Sequence, residues 1–167
     1  MITTKLVTLD DLEQIKQFIK DAQAHLKEQG SRQWQNGYPN EEIILKDIAE
    51  KRGYFLCDTE EPVAYFCLDF AGDTLYETLQ GEWLTQGTPY AALHRVAMGA
   101  GSRGKGYGTA IFQQAEKLSR QARMTSIRID TNPANQKMQH LIKKNGFQCC
   151  GTVVIDATDY LAFEKLL

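Results

Sequence analysis

The sequence predicts an α/β (α+β) fold in a single domain covering residues 1–167. Three observations lead there. The chain has 167 residues, 43% hydrophobic and 24% charged, ordinary globular proportions for one domain. A chain of this size buries roughly 70% of its unfolded surface, so it needs neither disulfides nor a structural metal to close a core. Apolar residues change repeatedly between a period of two and a period near 3.6, and a glycine-dense turn joins one strand to one helix.

Thr3 to Thr8 alternates as a strand, and Asp10 or Asp11 then caps a helix whose Leu12, Ile15, Ile19, Ala22 and Leu26 step by three and four until Gly30. Ser31 to Pro39 mixes two aromatics with Gly, Asn and Pro and is a loop. Asn40 caps a second helix through Ile43, Ile44 and Ile48 to Gly53. Tyr54 to Cys57 and Val63 to Phe70 form a hairpin around Asp58 to Pro62, the second run apolar enough to lie centrally in its sheet. Ala71 to Pro89 lacks a period and receives only a short strand near Trp83. Tyr90 to Met98 is a strand, Gly108 to about Arg123 a helix with Ile111, Phe112, Ala115 and Leu118 inward, and Ser126 to Asp130 a strand. Asn135 to Asn145 is a helix stopped by Gly146, and Gln148 to Ile155 and Tyr160 to Leu167 make a terminal hairpin turning at Asp156 to Asp159.

Composition narrows function. Nineteen Lys plus Arg against 21 Asp plus Glu give a net charge of -2, so nothing global asks for a nucleic-acid partner. Cys57, Cys67, Cys149 and Cys150 lie singly or adjacent, never in the paired spacing of a zinc site, and alternation sends Cys149 and Cys150 to opposite faces of a strand. His25 and His140 sit among polar helix residues, and no histidine belongs to a carboxylate pattern, so no metal site is expected. No basic leader followed by an apolar run opens the chain, and no stretch approaches a membrane span; the expectation is a cytoplasmic protein without a membrane partner.

The segment from His94 to Thr109 is the informative one. Its glycines let successive backbone amides point at one ligand, and the helix that follows adds positive charge at its N-terminus, so it reads as a phosphate site with Arg103 and Lys105 as cationic donors. Three patterns overlap there. Gly99, Gly101 and Gly104 spell GxGxxG, with Asp130 ending the next strand, as a dinucleotide fold would have it. Too little chain follows for the remaining βαβ units, and two of its elements form a hairpin. Gly99 to Lys105 fits GxxxxGK, but Gly106 stands where a nucleotide triphosphatase needs Ser or Thr for magnesium. The third pattern is Arg103-x-x-Gly106-x-Gly108 between a strand and a helix.

That third pattern resembles the acyl-CoA pyrophosphate loop of the GNAT superfamily of N-acetyltransferases. Ser126 to Asp130, then Asn132-Pro-Ala-Asn135, a helix and Asn145-Gly146-Phe147 resemble the family's second block, so the likeness covers Tyr90 to about Val154. It implies a central mixed, mostly antiparallel twisted sheet of about six to seven strands flanked by about four helices, with acetyl-CoA as co-substrate. The pantetheine arm would pair with the main chain of Val96, Ala97 and Met98. The pyrophosphate would take amides from Arg103, Gly104, Lys105, Gly106, Tyr107, Gly108 and Thr109, with the Arg103 side chain and the Thr109 hydroxyl as further donors. Asn135 matches a position that hydrogen-bonds the cofactor arm; as an ordinary helix cap it reads equally well.

The implied chemistry is attack of a neutral primary amine, from a small molecule or a peptide or protein, on the thioester, with an amide near Met98 polarising the carbonyl oxygen. An alkylammonium has a pKa of about 10, so a base must take its proton. His94 is the first candidate, on the same face of its strand as Met98 by period two. It reads as well as a core histidine satisfied by a backbone partner. Glu82 and Glu77 are further candidates, Glu82 beside Trp83 in the unread segment. The family often draws a general acid from a Tyr where this chain has Ile142, leaving Tyr107 or Tyr160 for that task, or a thiolate that leaves unaided. Trp34 and Tyr38 either shape an acceptor pocket or anchor their loop. A non-catalytic acyl-CoA-binding module is the alternative function, and a homodimer through edge strands is a further expectation from the resemblance.

Overall fold

A computed structural model describes residues 1–87 and 89–167. Eight strands form one sheet: β1 (Ile2–Leu6), β2 (Gly53–Asp58), β3 (Glu61–Asp69), β4 (Gln80–Gly81), β5 (Tyr90–Met98), β6 (Ser126–Thr131), β7 (Gln148–Ile155) and β8 (Thr158–Leu166). Among the described residues four α-helices accompany it: α1 (Leu12–Glu28), α2 (Glu41–Ala49), α3 (Tyr107–Gln121) and α4 (Gln136–Lys144). The sheet is mostly antiparallel, and β5 pairs with β6 in parallel. This is the mixed architecture expected, with eight strands where about six to seven were anticipated, the two-residue edge at Gln80–Gly81 among them.

The chain divides into two compact units, residues 1–68 with 95–114 and residues 69–94 with 115–167. In the first, β1, β2 and β3 run antiparallel, and α1 buries Ile15, Ile19, Ala22 and Leu26 as the sequence spacing has it, together with Phe18, which that spacing left out, while Leu12 is only partly buried. Val7, Phe55, Tyr65 and Ala97 share that core, onto which Trp34 packs. Asn40 caps α2, its side chain accepting from the Ile43 amide. The helix ends at Ala49 rather than at Gly53, since Lys51 itself takes the left-handed turn (φ 55°) and the Arg52 amide returns to the Asp47 carbonyl. Gly53 instead opens β2, where a Cβ would stand 2.8 Å from Val7 Cγ2.

In the second unit β6, β8, β7 and β4 are antiparallel neighbours, and Tyr90–Ala92 of β5 run parallel to β6. Tyr76, Tyr90, Ala92, Val153 and Ala162 form the core, with Trp83 and Tyr160 packed against them. The strand expected near Trp83 lies at Gln80–Gly81, and Trp83 follows it with its indole N–H on the Tyr76 carbonyl at 2.9 Å. Cys149 and Cys150 do not simply alternate, because the register of β7 against β8 shifts between Cys149 and Gly151. Buried Arg128 and Glu164 pair at 2.9 Å. Glu164 also accepts from the Ser126 and Thr85 hydroxyls and from the Leu84 and Thr85 amides, which fixes the segment after β4. Burial alone would raise the Glu164 carboxyl, but the Ser126, Thr85 and Arg128 hydrogen bonds hold it below the usual range.

Candidate active site

The glycine turn lies wholly in the first unit. From Met98 the chain makes a 3-10 turn at Ala100–Ser102 and reaches α3 at Tyr107. Gly104 and Gly106 hold φ of 74° and 79°, and a Cβ built at either meets nothing within 4 Å. The conformation, rather than crowding, is what asks for glycine there, and it leaves the main chain bare for a ligand to approach. The Gly106 carbonyl accepts from the Ala110 amide, so the amides just after it belong to the first turn of α3, which have no partner within a helix. No acidic residue occupies that turn. Donor amides, a positive helix end and bare glycine backbone fit a pyrophosphate.

Arg103 is turned toward α1: one of its terminal nitrogens donates to the Asp21 carbonyl at 3.0 Å and, more weakly, to that of Met98 at 3.5 Å. Asp21 receives the Ala100 amide on Oδ2 at 3.1 Å and so braces the turn, a role nothing in the sequence announced. The Tyr107 hydroxyl donates to Asp58 at 2.7 Å, and this bond holds Asp58 low and Tyr107 high. Tyr107 therefore has its proton engaged. Lys105 is exposed and Thr109 half-buried.

Arg95 alters the strand that leads to this turn. It sits at φ 50° in the middle of β5, so the alternation that put His94 and Met98 on one face does not run through it. Its guanidinium holds the fully buried Asp47, Nε on Oδ2 at 2.8 Å and a terminal nitrogen on Oδ1 at 2.6 Å, while the other donates to the Tyr38 hydroxyl at 2.8 Å. Arg52 and Tyr65 complete the shell of Asp47. Trp34, packed on the first core, and Tyr38, bonded to Arg95, both brace that unit. Val96, Ala97 and Met98 follow Arg95.

The second unit contains a pocket of about 360 Å³ lined in part by Asp73, Glu77, Glu82, Trp83, Tyr90 and Arg128. Glu77 and Glu82 are exposed and bring negative charge to it. Arg128, with its centre 4.1 Å from the Trp83 ring and 3.9 Å from that of Tyr90, is neutralised by Glu164 and holds the two aromatic walls. The parallel ladder of β5 and β6 covers only Tyr90–Ala92 against Ser126–Arg128, so Leu93, His94 and Ile129 to Thr131 lie beyond it.

His94, partly buried, has a carboxylate partner rather than a backbone one: its Nε2 is 3.1 Å from Asp73 Oδ2. The Tyr76 ring lies 5.9 Å from the imidazole, and the Tyr76 hydroxyl donates to Asp130 at 2.7 Å. Burial pushes the Asp130 carboxyl up, with His94 and the Tyr76 bond acting the other way, and burial with Asp130 drives the Tyr76 phenol well up. Sequence reasoning missed Asp73, Tyr76 and this use of Asp130, since residues so distant along the chain share no local pattern. Among the described residues no cluster of three or more His, Cys, Asp or Glu is arranged to hold a metal. Asn135 caps α4, accepting from the Met138 amide at 3.2 Å, and Ile142 is fully buried. No helix of the described residues is long and apolar enough to cross a membrane.

Known proteins share this fold. The model of the Acetyltransferase (GNAT) family matches residues 17–147. The "Uncharacterized N-acetyltransferase YesJ" of Bacillus subtilis (strain 168) is 27% identical over 158 residues, covering 93% of this chain and 85% of its own. The crystal structure of a GNAT-family acetyltransferase from Streptococcus agalactiae 2603 superposes with a TM-score of 0.88 at 28% identity, over 99% of this chain and 95% of that one. The aminoglycoside acetyltransferase AAC(6')-Ib, solved with coenzyme A, shares the fold at a TM-score of 0.69 and 21% identity, over 99% and 95% of the two chains. With the family model spanning most of its length, the chain belongs to the GNAT acetyltransferase family and is an acyltransferase.

Proposed function

We propose that residues 1–167 act as one N-acetyltransferase domain that moves the acetyl group of acetyl-CoA directly to a primary amine of a small molecule or peptide. The observation that carries this is the turn from Arg103 to Thr109, with left-handed Gly104 and Gly106 opening onto the N-terminus of α3. AAC(6')-Ib, whose fold is similar, has been crystallised with coenzyme A and with coenzyme A plus kanamycin, which supports both halves of the reading. Acetyl-CoA supplies the activated thioester carbonyl. The amides of residues 103–109, with Lys105 and the Thr109 hydroxyl, hold its pyrophosphate. The main chain of Val96, Ala97 and Met98 receives the arm, and the Met98 amide polarises the carbonyl oxygen. Arg103, whose guanidinium reaches the Asp21 carbonyl, holds the turn in shape and adds charge to it.

Glu82 and Glu77 attract a cationic acceptor to the pocket of the second unit, and His94 takes the proton an ammonium must lose before attack. Tyr160, packed beside Tyr76 and Tyr90, is the remaining tyrosine for protonating the leaving group, since Tyr107 is bonded to Asp58 and position 142 is isoleucine. The thiolate also leaves unaided at its ordinary pKa of about 8.5. The experiment is a thermal-shift titration with acetyl-CoA, NADH and MgATP in parallel, followed by an amine panel read by thiol release. Ligand at about 100 times its dissociation constant adds roughly 2.7 kcal/mol. Stabilisation by acetyl-CoA alone, with amine-dependent thiol release, is expected; stabilisation by a nucleotide alone overturns the reading.

A further inference from the structure

Building on the reading of His94 as the proton acceptor in amine acetylation, we propose that Asp73 is a positioning residue that receives the His94 Nε2–H on Oδ2 and thereby leaves Nδ1 as the atom that takes the acceptor's proton. Nε2 and Oδ2 stand 3.1 Å apart, and an ionised carboxylate only accepts, so a hydrogen bond between them is donated by the nitrogen. A neutral imidazole carries one N–H; spending it on Asp73 assigns the lone pair to Nδ1. The ammonium then gives one proton to Nδ1, the ring becomes imidazolium, Asp73 stays ionised beside it, and the free amine pair attacks. Solvent later removes the proton.

Asp73 is itself held. Its Oδ1 accepts the Leu75 amide at 2.9 Å, starting the 3-10 segment Thr74–Thr78. The Tyr90 hydroxyl accepts from the Asp73 amide and donates to the Asp73 carbonyl, both at 3.0 Å. Oδ1 thus accepts from the backbone, and Oδ2 faces the imidazole. The Tyr76 ring lies against the imidazole at 5.9 Å and limits its tilt. Of the other charged groups on elements facing His94, Asp130 on β6 is bonded through Oδ2 to Tyr76, and Arg128 on the same strand is balanced by Glu164. Glu77, on the same 3-10 segment as Tyr76, is exposed. Asp73 and Tyr76, the two residues against the imidazole, also line the pocket.

Asp73→Asn separates this role from simple capping, since Asn caps as well as Asp yet carries no charge. The expected result is a fall in kcat/KM for the amine of about tenfold or more, with a pH profile that no longer superimposes on that of wild type, because the carboxylate beside the ring has lost its charge. The KM for acetyl-CoA stays near wild type. In a His94→Ala background the same substitution adds nothing. A pH profile superimposable on wild type, or a full additional loss in the His94→Ala background, overturns the proposal. An NMR titration of the His94 ring, assigned by the signal missing in His94→Ala, tests the geometry without turnover. A midpoint unmoved by Asp73→Asn refutes the positioning even if amines are acetylated. A midpoint that moves in a protein acetylating no amine supports the ring contact and refutes the proposed function instead.

Discussion

Replacing Arg95 with alanine tests the buried ion pair at the middle of β5. The guanidinium makes two bonds to Asp47, at 2.8 and 2.6 Å, and one to the Tyr38 hydroxyl at 2.8 Å. Asp47 is fully buried and keeps Arg52 and Tyr65 as partners, so the variant leaves a carboxylate short of charge compensation. Breaking a buried pair in this way costs about 3–5 kcal/mol. Alanine also has a Cβ, so the left-handed φ of 50° remains a cost and gives nothing back. For a domain of this size each kcal/mol lowers Tm by about 2–4 °C, which predicts a drop of roughly 6–20 °C. The pH dependence follows from Asp47. Burial alone would raise its carboxyl, but the Arg95 hydrogen bond and charge, with Tyr65 and Arg52, hold it below the usual range. A group depressed in the folded state adds stability above its unfolded pKa of about 4 and loses it as pH falls through the folded value. The difference between wild type and variant is therefore full at neutral pH and closes on acidification. Urea unfolding followed by circular dichroism at neutral and acid pH measures it. A difference under about 1 kcal/mol at neutral pH, or one that widens in acid, would refute the reasoning.

Three further substitutions probe the remaining parts. Gly106→Val forces a β-branched residue into φ 79° at the turn, and calorimetry should show acetyl-CoA affinity lowered at least about tenfold, whereas unchanged affinity would sink the assignment of the turn. His94→Ala should lower kcat by about 10²-fold or more and flatten its pH profile while acetyl-CoA affinity holds; a retained pH profile would return His94 to a structural role. Glu82→Gln should raise the KM for a cationic amine by about fivefold at low salt, with kcat preserved and the effect fading as salt is added. Equal KM values at low salt would remove Glu82 from acceptor binding.

What was legible in the sequence was what local rules decide. Asn40 announces the start of α2, and its side chain takes the Ile43 amide as an N-cap does. The run Tyr90 to Met98 reads as one strand, and it is one. The spacing Arg103, Gly106, Gly108 before an amphipathic helix pointed to the family because the glycine conformations and the helix end are encoded within a few residues of one another. The contacts of His94 were not legible. Asp73, Tyr76 and Asp130 come from a stretch without period and from another strand, and only the folded chain joins them. The same holds for Arg128 and Glu164, two charges in alternating strands whose pairing depends on the register of β6 against β8, where Arg128 stands opposite Glu164.

Arg95 shows how a long-range bond overrides a local period. Period-two arithmetic is sound only while every residue of a strand stays extended, and a residue at φ 50° resets the sides on which its successors point. A strained residue of that kind costs about 1–3 kcal/mol and persists only when the surroundings over-determine it. Here the surroundings are named: Asp47 receives Arg95 at both oxygens, and Tyr38 and Cys67 receive the other donors. The ion pair and the irregular strand thus depend on each other. Because the irregularity falls directly after His94, the facing of Val96, Ala97 and Met98 is set independently of the facing of Tyr90 to His94.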